Sequence, residues 1–404
     1  MKKLRIAKRI KFLGTEQAFH VLAAAKEMER KGIDMIHMEI GDTNFDTPKV
    51  IKDACIKAVN ENKTHYLPSQ GLLELRQEIA KYISKTRKIP VDADEIVVTP
   101  GGKPIIFYTI LAVVNPGDEV VIPNPGFPAY ESAVNFVGGE SVPLPILAEN
   151  DFQVDLKQLA KLITKKTKLI IVNSPHNPTG GVLTHKNLLG ISNLAKKHNL
   201  WVLSDEVYDR LVFEGKFESI ASLPEMKKQT IILNAFTKTY SMSGWRLGYG
   251  VMPKELAKVI SNLVNNSISC APNFIQWAGI RGLQLPEKTI AKFRLELKKR
   301  RDLLNKELNK LPGIKCHAPK GAIYLFPDIR KTGKTSKEIF DLLFDKANIA
   351  SLSGAAFGRY GEGFIRLSFG PVPIPRIKEA IRRIKKVWPK NFSRKNKILK
   401  IAYP

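Results

Sequence analysis

The chain has 404 residues, more than one hydrophobic core usually organises, so a large domain with a smaller companion is expected. Its 44 % hydrophobic content suits a globular core, and the formal net charge of +27 raises the question of an anionic partner. Apolar runs such as IIFYTILAVV (105–114) are too short to cross a bilayer, and MKKLRIAKRIKFLG lacks the apolar stretch of a signal peptide, so a soluble, cytoplasmic protein is expected.

The charge sits at the ends. Residues 2–11 carry six Lys or Arg, and residues 376–400 carry eleven against the single acid Glu379. No aromatic-interleaved basic stripe, RNP-like motif or zinc finger accompanies them, which disfavours nucleic acid as a partner. Cys55, Cys270 and Cys316 lie far apart, and the seven histidines show no ligand spacing. Buried thiols in a reducing compartment are expected, with no metal site.

Along the chain, short apolar runs alternate with helical patterns: EIVVT (95–99), EVVI (119–122), KLIIVN (168–173), LWVLS (200–204), TIILN (230–234) and RLGYGV (246–251). Segments such as 103–115 and 184–199 between them read as helices. This is the signature of an α/β fold whose mostly parallel sheet is flanked by helices on both faces. After about residue 285 a long charged helix leads into short strands near GAIYLF and FIRLSFG, the pattern of a smaller α+β domain. The expected division is an N-terminal segment (1–45) belonging to the small domain, a large domain (46–284), a small C-terminal domain (285–390) and a basic tail (391–404).

Ligands of open α/β sheets bind outside the carboxyl ends of the strands, where the unusual residues here collect. GGKP (101–104) couples a glycine turn to a helix start, an anion site suited to phosphate, although such a turn is often only a turn. NSPHNPTG (173–180) follows a strand and offers the Asn177 amide as a donor. SDEVY (204–208) puts Asp205 at a strand end, where it is suited to a cationic nitrogen or to capping a helix, with Tyr208 close behind. In NAFTKTYSMSGWRLGY (234–249), Lys238 and Arg246 stand eight residues apart, an arrangement that asks for an anion between them or a neutral lysine. Phosphate, ring nitrogen, ring oxygen and aldehyde are the groups of pyridoxal 5'-phosphate, and a lysine that condenses with the aldehyde gives up its charge.

With these segments in order, the chain resembles a class I/II, fold type I aminotransferase, the group that contains the aspartate aminotransferases. The resemblance also draws on MEIGDTNFDTP (38–48), THYLPSQGLLELR (64–76) and PGDEVVIPNPGFPAY (116–130), and it covers nearly the whole chain. It implies that Lys238 is the Schiff-base lysine and that Asp205 pairs with the ring nitrogen, while Tyr208 and Asn177 bond the ring hydroxyl. It further implies that Gly102, Lys103 and Arg246 hold the phosphate and that Phe127 stacks on the ring. Arg366, helped by Asn177 and the Gly41 backbone, would grip the substrate α-carboxylate. Tyr66 matches a tyrosine that reaches the neighbouring subunit's phosphate, so a homodimer with shared sites is implied.

Two departures stand out: GDTNF replaces the usual GEPDF near Gly41, and Ala235 stands where a phosphate-binding serine is common. Thr237 and Thr239 compensate only if they turn inward. His176 reads as a loop residue rather than a base. The implied reaction moves an amino group from an L-amino acid, aspartate among the candidates, to a 2-oxo acid such as 2-oxoglutarate. A C–S β-lyase on the same scaffold and a non-enzymatic pyridoxal-phosphate regulator are the alternatives.

Overall fold

The computed structural model describes residues 5–14 and 16–389. The basic tail (391–404) therefore lies outside the described residues, as do Lys2 and Lys3.

The described residues form twelve strands: β1 (Ile36–His37), β2 (Ile96–Thr99), β3 (Glu119–Asn124), β4 (Glu140–Pro145), β5 (Thr167–Asn173), β6 (Trp201–Asp205), β7 (Thr230–Ala235), β8 (Gly248–Val251), β9 (Tyr324–Leu325), β10 (Ile349–Ala350), β11 (Leu352–Ser353) and β12 (Ile365–Ser368). Seven of them make one sheet in the order β2-β8-β7-β6-β5-β3-β4. All neighbours are parallel except β8, which runs antiparallel to both β2 and β7.

Period-two alternation fills both faces of this sheet. Val97, Val120, Leu169, Leu203 and Ile231 join one core cluster, while their neighbours Val121, Ile170 and Val202 join a second and Ile96, Val98 and Ile232 a third. A sheet buried on both sides needs apolar residues at nearly every position, which is why six of its strands read as continuous runs.

A smaller antiparallel sheet, β11-β12-β9, rests with the long helix Glu287–Leu308 and the helix Ile374–Val387 on a separate core that includes Leu297, Leu304, Leu325, Leu367 and Ile377. Strand β1 pairs in parallel with β10, bringing the segment before residue 45 to this second layer. Among the described residues no helix is long and apolar enough to cross a membrane, and no His, Cys, Asp and Glu cluster could hold a metal ion.

Candidate active site

Strands β2, β5, β6 and β7 run in one direction, so the loops that follow them open on the same side of the sheet. There they meet the small sheet around a cavity of about 540 Å³. Gly41, Gly102, Lys103, Phe127, Asn177, Asp205, Tyr208, Lys238, Arg246 and Arg366 all line it. Tyr66 does not: it stands at the surface, 86 % exposed.

One end is built for an anion. The turn after β2 places Gly101 at φ +86°, a conformation that a side chain strains, and an added Cβ there would run into the Arg246 guanidinium. Next comes the helix Lys103–Val113, with Pro104 in its first turn, so free backbone N–H groups face the cavity. Arg246 is steadied by donating from Nη1 to the Ser243 carbonyl at 2.9 Å. Thr237 lines the cavity, whereas Thr239 is buried away from it. The Lys103 ammonium is ion-paired with Glu16 and lies 5.5 and 5.7 Å from the ring centroids of Phe19 and Phe127.

The floor is acidic. Asp205 ends β6 and is 5 % exposed. Its Oδ2 accepts from the Tyr130 hydroxyl at 2.6 Å and its Oδ1 from the Val207 N–H at 3.3 Å. Burial pushes its carboxyl up to about 6, against the pull of the Tyr130 bond. The Asn173 amide donates to the Asp205 carbonyl at 3.0 Å and accepts from the Asn177 N–H at 2.8 Å, locking the loops after β5 and β6 together. The turn beyond Asp205 is pinned from below: buried Arg87 donates to Glu206 at 2.9 Å and to Asp209 at 2.5 Å. Tyr208, carried on that turn, shares a 2.6 Å hydroxyl contact with Tyr324 of β9.

Burial drives the Lys238 amine down to about 8; the Arg366 and Arg246 charges push the same way, and Asp42 opposes them. Its Nζ donates to the Gly41 carbonyl. Arg366 on β12 is 4 % exposed, sandwiched between the rings of Tyr324 (4.4 Å) and Phe357 (4.8 Å). It donates from Nη1 to Asn177 Oδ1 at 3.1 Å and from Nη2 to the Glu39 carbonyl. Thus Glu39 meets Arg366, while the Gly41 carbonyl is taken by Lys238. The Glu39 carboxylate, fully buried, meets His37 Nδ1 at 2.8 Å, and His37 Nε2 meets Glu29 at 2.9 Å. His176 is buried with Nδ1 on Thr179 Oγ1 at 2.8 Å, and burial drives it down to about 3, so it stays neutral.

Two contributors, Tyr130 and Tyr324, escaped the sequence reading. Both stand in segments it did single out, GFPAY and GAIYLF, where nothing distinguishes a phenol in a site from one in a core.

An anion cradle, a buried carboxylate, phenol and amide donors and an amine that burial makes easier to deprotonate, around one cavity, are the donor set that pyridoxal phosphate requires. The residues therefore fit that cofactor without rearrangement of the strands that carry them.

Known proteins share this architecture. The family profile described as "Aminotransferase class I and II" matches residues 33–384. A probable aspartate/prephenate aminotransferase of Aquifex aeolicus is 39 % identical over 389 residues, covering 94 % of this chain and 98 % of the relative. Among solved structures, an alanine aminotransferase from Pyrococcus furiosus superposes with a TM-score of 0.89 at 35 % identity, covering 95 % of this chain and 99 % of that one. The aspartate aminotransferase of Thermus thermophilus with maleate gives 0.91 at 31 %, covering 95 % and 100 %.

Proposed function

The chain belongs to the class I and II aminotransferases, enzymes that transfer amino groups with pyridoxal 5'-phosphate, and we propose that it exchanges the amino group of a dicarboxylic amino acid such as aspartate with a 2-oxo acid such as 2-oxoglutarate. The observation that carries this reading is the meeting of Lys238, Asp205 and Arg366 in one cavity that also holds the Lys103 ammonium. A dicarboxylate has two anionic ends: Arg366 faces one, and the other would have to replace Glu16, which lines the cavity, as the partner of Lys103. The Thermus enzyme that holds maleate supports the same reading.

Each residue has a physical task. Arg366 and the Asn177 amide bind the α-carboxylate by charge-assisted hydrogen bonds in a dry setting. The N–H groups of Gly102 and Lys103, with Arg246, take the phosphate at the helix start. Asp205 holds a proton on the ring nitrogen, Tyr208 and Asn177 donate to the ring oxygen, and Phe127 covers the ring. The cofactor supplies an aldehyde for the amino nitrogen and a ring that accepts electrons. Lys238, neutral once deprotonated at a pH near 8, would take the proton from the substrate α-carbon and deliver it to the carbon that carried the aldehyde, which leaves the substrate as a 2-oxo acid after hydrolysis.

Tyr66, exposed here, belongs in this reading to a homodimer in which it reaches the phosphate of a second copy. Three unpaired cysteines suit a reducing compartment, the cytoplasm.

The test is a half-reaction. The loaded protein is mixed with single amino acids and no acceptor, and the cofactor's visible absorbance is followed together with the released 2-oxo acid. Bleaching with oxaloacetate from aspartate, faster than with alanine or phenylalanine, supports the reading. Pyruvate and ammonia from a β-substituted amino acid with the absorbance retained would replace it with β-elimination.

A further inference from the structure

The register of the small sheet places Tyr324 beside Arg366. Strands β9 and β12 are antiparallel with Tyr324 opposite Ser368, so Arg366, two residues along β12, projects from the same face as Tyr324. The guanidinium carbon then lies 4.4 Å from the Tyr324 ring centroid. The hydroxyl end of the same ring reaches across to the large sheet and meets the Tyr208 hydroxyl at 2.6 Å. Gly41 closes over it, since a Cβ on Gly41 would collide with the Tyr324 hydroxyl. One side chain thus touches the residue read above as the carboxylate clamp, the residue read as a donor to the ring oxygen, and the entrance loop.

We propose that Tyr324 is a positioning residue: its hydroxyl donates to Tyr208, leaving the Tyr208 hydrogen free for the cofactor ring oxygen, and its ring face carries the charge of Arg366. The inference rests on the reading of Tyr208 and Arg366 given above. Two hydroxyls in contact share one hydrogen between them, and a hydroxyl is both donor and acceptor. If Tyr208 donated to Tyr324, its hydrogen would be spent within the protein and the ring oxygen would lose that donor. The reverse polarity is favoured by the cation over the Tyr324 ring, which draws electron density from the phenol and makes it the better donor. Donation into the Tyr208 oxygen in turn strengthens the bond that Tyr208 makes, as hydrogen bonds in a chain polarise one another. A carboxylate arriving at Arg366 weakens that pull, so occupation of the clamp is felt at the ring oxygen through Tyr324.

The experiment separates the hydroxyl from the ring. In the loaded enzyme, the pH midpoint of the cofactor's visible absorbance reports how well the ring oxygen is stabilised as an anion. Tyr324→Phe keeps the ring under Arg366 and removes only the hydroxyl. It is expected to raise this midpoint by roughly half a pH unit, because a weakened donor favours the protonated form. It should also lower kcat while leaving KM for the amino acid within about twofold, because the clamp still stands on its ring. In a Tyr208→Phe background the same substitution should produce no further shift, since there is no longer a hydroxyl to act through. A midpoint unmoved in Tyr324→Phe, or moved equally in both backgrounds, overturns the proposal. Tyr324→Leu, which also removes the ring, should add a rise in KM; an unchanged KM there would discard the Arg366 half of the idea. A protein that takes up cofactor but transfers no amino group would instead refute the proposed function.

Discussion

The Tyr130 hydroxyl donates to Asp205 Oδ2 across 2.6 Å at the buried floor of the cavity, joining two residues 75 apart in the chain. This bond counters the burial that lifts the Asp205 carboxyl to about 6. Tyr130→Phe leaves that oxygen without its donor. A hydrogen bond to a charged group contributes about 1.5–3 kcal/mol, so kcat should fall roughly ten- to a hundredfold. Steady-state rates at saturating substrate check it, and an unchanged kcat would remove Tyr130 from the site.

Lys238 should take up the cofactor by a reaction that needs its neutral form. With its amine near 8 rather than the ordinary 10.5, the rate at which apoprotein captures pyridoxal phosphate should climb with pH and reach half its maximum near 8. Arg366 is one of the cations that hold the amine down, so Arg366→Met should move the half-point upward. Stopped-flow absorbance across pH 6–10 reads both; a half-point near 10.5 would refute the assignment.

Arg366→Lys keeps a positive charge but loses the planar fork and its fit between Tyr324 and Phe357. The KM for the amino donor should rise about a hundredfold, corresponding to roughly 3 kcal/mol for a buried charged pair made imperfect. Comparing KM with kcat decides it: a fall confined to kcat would place Arg366 away from the substrate carboxylate.

Gly101→Ala forces a side chain into the left-handed region and against the Arg246 guanidinium. At about 1–2 kcal/mol of strain, the Kd for pyridoxal phosphate should increase roughly tenfold. Equilibrium dialysis of the apoprotein measures it, and an unaltered Kd would mean that the phosphate sits elsewhere.

His37, held between Glu39 and Glu29, has its imidazole raised above 6.5 chiefly by the Glu39 bond. A raised folded-state value stabilises the protein in full below pH 6.5, and this is lost as pH climbs through the folded value. His37→Gln should therefore cost about 1 kcal/mol at pH 5.5–6 and less at pH 9, as read by denaturant unfolding at both. An equal cost at both pH values would show that the protonated ring contributes nothing.

Six strands of the large sheet were legible because burial on both faces leaves an unbroken apolar run. β4 was not: it lies at the sheet's edge, pairs only with β3, and its sequence ESVPLP carries two prolines that an edge tolerates and a run-based reading rejects. The loop residues after the strands were legible because chemistry demands unusual types at strand ends, as at Asp205 and Lys238. Tyr130 and Tyr324 were invisible for the opposite reason. Their roles come from partners 75 and 116 residues away: Tyr130 meets a carboxylate at the end of β6, and the contact of Tyr324 with Tyr208 is set by how the two sheets meet, not by local pattern. Likewise, MEIGDTNF (38–45) gave no hint that the Gly41 and Glu39 carbonyls would be claimed by different cations.

Within the seven-stranded sheet, strand β8 runs against the direction of the other strands. A parallel successor to β7 would have carried the chain to the far edge before it could re-enter. An antiparallel one must start where its predecessor stopped, so the whole stretch from Phe236 to Leu247 is an outing that departs from and comes home to the same rim. Lys238 stands near its departure and Arg246 near its return. The number of residues between them therefore acts as a ruler: lengthening or shortening this excursion would change the gap between amine and guanidinium, even with every side chain retained.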